Sequence, residues 1–147
     1  MSPNLQAFLD MIAVSEGTAG KGDNGYNVIV GGALFESYDD HPRKLVWLRP
    51  GLASTAAGRY QLLSRYYDAY KKQLNLPNFS PLSQDLIAIQ QIRERGALEY
   101  IEKGYINVAI DKVKNIWASL PGAGYGQHEN KIDKLITAYK DAGGTVA

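Results

Sequence analysis

The chain has 147 residues, of which 45% are hydrophobic and 21% charged, and its formal net charge is +1. That length suits one domain with a real core, and the composition is that of a folded protein, not a disordered one. The near-neutral balance leaves no footprint for nucleic acid or an anionic membrane surface. With no cysteine, disulfides, thiolate metal sites and thiol nucleophiles are excluded together.

No apolar run is long enough to span a bilayer. The opening stretch, MSPNLQAFLDMIAV, lacks a basic n-region and reads as an amphipathic helix, not a signal peptide. The expectation is accumulation in the cytoplasm after synthesis, with any action elsewhere depending on release by another agent.

The first helix is expected to open at Ser2, with Pro3 at the first helical position. Leu5, Phe8, Leu9 and Ile12 then form one face. Glu16 continues that face four residues after Ile12, and Gly17 supplies a stop. Residues 17–25 are rich in glycine and polar side chains and read as a loop. In YNVIVGGALFESY, two β-prone runs flank Gly31 and Gly32, the signature of a tight hairpin. The stretch from Asp39 to Gly58 carries two prolines and no clear period, so it reads as loop.

A second helix is expected in RYQLLSRYYDAYKKQLNL, with Tyr60, Leu63, Tyr67, Tyr70 and Leu74 at core spacing. A third starts at Ser80-Pro81, turns Leu82, Leu86, Ile89 and Ile92 inward, and ends near Gly96. Short helices follow in ALEYIEKG and NVAIDKVKNIWASL, then a glycine-rich loop from Pro121 to Gln127. A last helix carries Ile132, Leu135, Ile136 and Tyr139. The sum is a mainly helical α+β fold, one domain over residues 1–147, with a small hairpin inserted after the first helix.

Glu16 is the residue that does not fit its surroundings. A carboxylate on an apolar helix face is costly unless it is paired, protonated or set in a cleft. Burial raises its pKa, and the negative end of the helix dipole pushes the same way. Both keep a proton on the carboxyl near neutral pH, as a general acid for a glycosidic oxygen requires. By pattern alone, a carboxylate turned to solvent at a fraying helix end is the commoner arrangement.

Most glycoside hydrolases use two carboxylates. The candidates for a second are Asp23, Glu36, Asp39 and Asp40, each equally compatible with turn or surface chemistry. The mechanism is therefore open on the residues alone.

His41 and His128, the only histidines, show no metal spacing. His41, before Pro42, reads as loop chemistry, and His128 beside the glycine-rich loop is a candidate for facing a ligand. GGALFES and PGAGYGQ match no phosphate-binding loop, and no serine sits in a nucleophile elbow. Of the 10 tyrosines, Tyr26 and Tyr125 lie in glycine-flanked settings suited to stacking on a sugar.

Taken together, AFLDMIAVSEGT, GYNVIVGG, DHPRKLV, AGRYQLLSR, DAYKKQL, RGAL, NIWASLPGAGYGQ and AGGTV resemble the lambda-type phage endolysins, which are lysozyme-like lytic transglycosylases. The resemblance runs from about Ala7 to Val146. It implies a lysozyme-like fold with a substrate cleft, and cleavage of the β-1,4 bond between N-acetylmuramic acid and N-acetylglucosamine without added water. One glutamate serves as acid and then as base, no second carboxylate is required, and no cofactor or metal is involved.

The family's Ser-Glu-Gly-Thr motif matches Ser15 to Thr18, so the catalytic role carries to Glu16. Its cleft segments match Tyr26 and Asn27, Gly58 to Gln61, and Gly124 to Gln127. The implied substrate-binding set is Tyr26, Asn27, Tyr60, Gln61, Gly124, Tyr125 and Gln127, with Gln61 resembling a glutamine that faces the catalytic acid. Segments around Ser54 and Tyr125 would be the lips of the groove.

The chain departs from the family pattern at Asn27, which stands for an aspartate, and at Asn24, which stands for a histidine. Both remove an ionisable group, and Tyr66-Tyr67 stands for a tryptophan pair. The implied partners are peptidoglycan glycan strands and a separate holin for release to the wall, with the chain a monomer. A hydrolytic muramidase using Asp23 as second carboxylate, or a non-catalytic wall-binding module, are the alternatives.

Overall fold

The computed structural model describes residues 1–124 and 128–147. Among them are six helices and one two-stranded antiparallel sheet. In chain order they are α1 (Pro3–Glu16), β1 (Val46–Arg49), β2 (Leu52–Ser54), α2 (Ser64–Leu74), α3 (Pro81–Glu94), α4 (Leu98–Glu102), α5 (Ile106–Val113) and α6 (Ile132–Asp141). This is the expected mainly helical α+β architecture. Two compact units divide it, one made of Met1–Gly17 with Ala88–Ala147, the other of Thr18–Ile87. No helix among the described residues is long and apolar enough to cross a membrane.

In the first unit, α1 starts and stops where its sequence directs. The Ser2 hydroxyl accepts from the Leu5 amide at 3.1 Å, and Pro3 needs no partner at the first position. Gly17 closes the helix in the left-handed conformation, its N–H donating to the Ala13 and Val14 carbonyls. The helix is buried more widely than one face. Besides Leu5, Phe8, Leu9 and Ile12, residues Ala7, Met11 and Ala13 are inaccessible. α6 and α4 pack against it, α6 contributing buried Leu135 and Tyr139 and α4 Ile101. α5 adds Ile106, Ala109, Ile110 and Val113.

In the second unit, the core gathers Ala57, Leu62, Tyr67, Phe79 and Ile87, with Phe35, Tyr70, Leu74 and Leu76 against it. Four expectations change here. The strand pair lies at β1 and β2, in the stretch read as loop. Pro50 is not a strand breaker there; with Gly51 at φ +80° it supplies the turn. Residues 26–38 do not form a regular hairpin. Gly31 and Gly32 turn the chain as expected, with Val28 bridging Leu34 and the Ile29 and Phe35 amides donating to the Ala33 and Asn27 carbonyls, and the other edge of this run also pairs with residues 56–58.

The remaining two changes concern α2 and α3. α2 begins at Ser64, because Gly58 to Gln61 form a tight turn closed by reciprocal Ala57–Leu62 hydrogen bonds. α3 is rotated from the expected face, with Leu82 and Leu86 exposed and Ser83, Gln84, Ile87 and Ala88 buried. The two polar residues are inside because the structure uses their hydrogen bonds. Gln84 donates to the Tyr26 and Phe79 carbonyls and accepts from the Arg59 amide.

His41 lies in a loop, as expected, and is buried against the core of this unit. Its Nε2 lies 2.8 Å from the Leu62 carbonyl, Nδ1 accepts from the Arg43 amide, and the ring packs on Tyr67 and Phe79. Burial pushes its pKa down, so the ring is held neutral.

Gly58 meets two constraints at once: its φ is +84°, and a Cβ there would collide with the Gln84 side-chain oxygen and the Phe79 ring. Gly58→Ala is therefore expected to lose about 3 kcal/mol of stability, measurable by urea denaturation.

Candidate active site

Glu16 is the last residue of α1, in the first unit. Loss of water around its carboxyl pushes the pKa from an ordinary 4.5 up to about 7, against the opposing pull of the Ser119 hydroxyl. Ser119 Oγ donates to Glu16 Oε2. Ser119 Oγ is also 2.7 Å from Ser15 Oγ. Asn130, buried just before α6, sends its amide to the Ser15 carbonyl at 2.9 Å and to Ser15 Oγ at 3.1 Å. Its own oxygen accepts from Lys134 Nζ at 3.1 Å. The carboxyl is thus half-buried and held, not turned loose at a frayed end.

In the same unit, Glu129 ties down Gly122 and Gly124. Its carboxylate accepts from the Gly122 amide at 3.0 Å and the Gly124 amide at 2.9 Å, which lowers its pKa. His128 is exposed. Tyr125 and Gln127 lie outside the described residues.

The second unit holds the other expected site residues around Arg59. This guanidinium is buried, with Nε donating to the Asn24 carbonyl at 3.0 Å and its carbon 5.4 Å and 5.7 Å from the Tyr26 and Tyr60 ring centres. Asp85 accepts from both phenols, at 2.9 Å from Tyr26 and 2.7 Å from Tyr60. Burial and the Asp85 charge raise both tyrosine pKa values, so each hydroxyl stays a donor. Tyr60 is 5% exposed, so it acts as a strut here, whereas Tyr26 is only half-buried.

Gln61 sits at φ +54°, an uncommon conformation for a glutamine. Its side-chain amide donates to the Gly58 carbonyl at 2.9 Å, which fixes the side chain. Thr18 is buried and donates to the Arg59 carbonyl at 2.6 Å.

The two asparagines that depart from the family pattern both work in the loop. Asn24 takes a left-handed φ of +47°, which suits asparagine, and accepts from the Gly20 amide. Asn27 accepts from the Asp23 amide at 2.8 Å, a role that needs an oxygen but no charge. Asp23 itself is exposed and accepts from the Tyr38 hydroxyl at 2.6 Å. Glu36 and Asp39 are exposed, and Asp40 pairs with Arg43.

Arg59 lies in the expected Gly58 to Gln61 cleft segment, whereas Ser119, Asn130, Gln84, Asp85 and Glu129 were not legible as site residues in the sequence. Their polar side chains carry no periodicity, and the partners of the first two lie about a hundred positions away. The one available signal was Ser119 itself, inside an unusually composed motif.

Residues 6–146 match the family model described as Endolysin. The endolysin of Escherichia phage lambda is 64% identical over 145 residues, covering 96% of this chain and 92% of the relative. That of Escherichia phage P2 is 54% identical over 157 residues, covering 98% and 95%. Among solved structures, bacteriophage lambda lysozyme complexed with a chitohexasaccharide superposes with a TM-score of 0.98 at 62% identity, covering 100% of this chain and 98% of that one. Lysozyme from bacteriophage lambda gives 0.93 at 61% identity, over the same shares.

The raised pKa has a stability consequence. Between 4.5 and about 7 the folded chain keeps a proton that the unfolded chain gives up. The stabilisation is complete below 4.5 and lost as pH rises through about 7. Glu16→Gln, which cannot ionise, is expected to be more stable than the parent above that pH, by roughly 2 kcal/mol, with the difference shrinking on acidification. Thermal melts of both proteins across this range check it.

Proposed function

The chain belongs to the endolysin family of peptidoglycan-degrading enzymes, and we propose that it is a lytic transglycosylase in which Glu16 is the sole catalytic acid and base. One observation carries this reading. Glu16 is the carboxyl whose surroundings hold its proton to about pH 7, and its bonded partner is a serine hydroxyl, not a second carboxylate. Asp23, which a hydrolytic muramidase would recruit, is exposed and bonded to Tyr38. The chitohexasaccharide in the lambda lysozyme complex supports an amino-sugar strand as the substrate class.

In this mechanism protonated Glu16 donates to the glycosidic oxygen as the bond to the muramic anomeric carbon breaks. Positive charge on that ring is offset by the carboxylate left behind. The ring's own C6 hydroxyl attacks the anomeric carbon, and its proton passes to Glu16, which is ready for another cycle. The attacking group is already on the substrate, so the step gains the high effective concentration of an intramolecular reaction. Tyr26, Asn27, Gln61, Gly124, Tyr125 and Gln127 belong to the proposed sugar-binding set, and Tyr60 supports it by holding Asp85. Residues 1–147 work as one catalytic domain and as a monomer, with a separate holin giving access to the wall.

Mass spectrometry of soluble muropeptides from digested peptidoglycan tests the reaction. Products one water lighter, with no new reducing end, are expected. Free reducing muramic acid would overturn the assignment in favour of hydrolysis. Glu16→Gln should lose activity by a factor on the order of a thousand or more while keeping its fold by circular dichroism. Parent turnover should fall as pH rises through about 7.

A further inference from the structure

We infer that Lys134, Asn130, Ser15 and Ser119 form a one-way chain of hydrogen-bond donors that fixes which oxygen of Glu16 carries the transferable proton. The inference rests on Glu16 being the catalytic acid, and its elements are all in one unit.

The direction of the chain follows from donor chemistry. A lysine ammonium only donates, so its 3.1 Å contact assigns the oxygen of the Asn130 amide to Lys134 and turns the nitrogen toward Ser15. That nitrogen also only donates, at 3.1 Å to Ser15 Oγ. Ser15 Oγ accepts there, so its proton points along the 2.7 Å contact to Ser119 Oγ. Ser119, accepting from Ser15, has its single proton left for Glu16 Oε2. A carboxyl oxygen facing a fixed donor is a poor place for the acid proton, which is left on Oε1. There it is available to a leaving group and not spent on a neighbouring hydroxyl.

Ser15 and Asn130, the middle of the chain, are buried. The Asn130 backbone N–H donates to the Ser119 carbonyl at 2.8 Å, which locks the two segments together. Lys134 of α6, bonded to the Asn130 amide oxygen, is the charged member of the chain. Asp10 lies earlier on α1, bonded to Gln6, and Glu102 of α4 is bonded to Ser2 at the opposite end of the helix. Ser119, Ser15 and Asn130 are thus positioning residues, acting through Glu16 and not on the sugar.

The test measures kcat and KM on soluble, uncross-linked glycan strands across the titration of Glu16. It compares the parent, Ser119→Ala, Ser119→Thr and Asn130→Asp, with Glu16→Gln as the control. Ser119→Ala removes the donor, so kcat should fall on the order of tenfold with KM changed by less than about twofold. The alkaline limb of kcat should move to higher pH, because the carboxylate loses its stabilising bond. Ser119→Thr, which keeps the hydroxyl, should restore both.

Asn130→Asp replaces the donor with an acceptor and reverses the chain without touching Ser119. It should lower kcat and move the limb the same way, and it provides the reading if Ser119→Ala fails to fold. Parent-like kcat and an unmoved limb in folded Ser119→Ala or Asn130→Asp would overturn the chain while leaving the catalytic role of Glu16 intact. An active Glu16→Gln would instead overturn the functional reading itself.

Discussion

The tension at Glu16 between desolvation and one hydroxyl bond is the constraint around which the first unit is organised. A helix buried on most of its circumference is the worst place to end on a carboxylate, since water cannot solvate the charge there. Desolvation raises the pKa and the Ser119 bond lowers it, and the balance falls near neutrality. Either influence alone would move the titration away from neutrality. An unopposed buried carboxyl would hold its proton too tightly, and a well-solvated one would have lost it at neutral pH. Asn130 and Ser15, behind Ser119, are needed to keep that single opposing bond in place.

The second unit solves a different problem with similar means. Its Gly58 to Gln61 turn carries a buried guanidinium, which would be costly without partners. The Asn24 carbonyl, the Tyr60 hydroxyl and two tyrosine faces supply them, while Gln84 takes the Arg59 backbone amide and Asp85 anchors the two phenols. The turn is thereby rigid enough to hold Gln61 in a left-handed backbone conformation. Positive-φ residues other than glycine persist only where neighbours over-determine them, and such strain clusters at sites of function.

What was legible in the sequence was local. Ser2 with Pro3, Gly17, and Pro81 marked helix ends because caps act over three or four residues, and Glu16 stood out because a charge broke an apolar period. The β1–β2 pair was missed because Pro50 is read as a breaker unless its turn role is recognised, while the runs around Gly31 pair as expected but only through isolated bridges, with a further partner near Ala57. The face of α3 was misread because Ser83 and Gln84 are buried for their hydrogen bonds, which hydrophobic spacing does not register. The partners of Glu16 were illegible for the same reason in stronger form. Ser119 and Asn130 meet α1 across more than a hundred residues, and only the folded chain brings them together.

The buried polar ties described above share one property: none of them involves sulfur. Thr18 on Arg59, Gln84 on Phe79 and Tyr26, and Asn130 on Ser15 do the stapling that many small secreted domains assign to disulfides. With no cysteine in the chain, its folding free energy has no thiol–disulfide term and is independent of the ambient redox potential. The same native state is therefore available in a glutathione-rich compartment and in an oxidising one, with no disulfide-forming step between them.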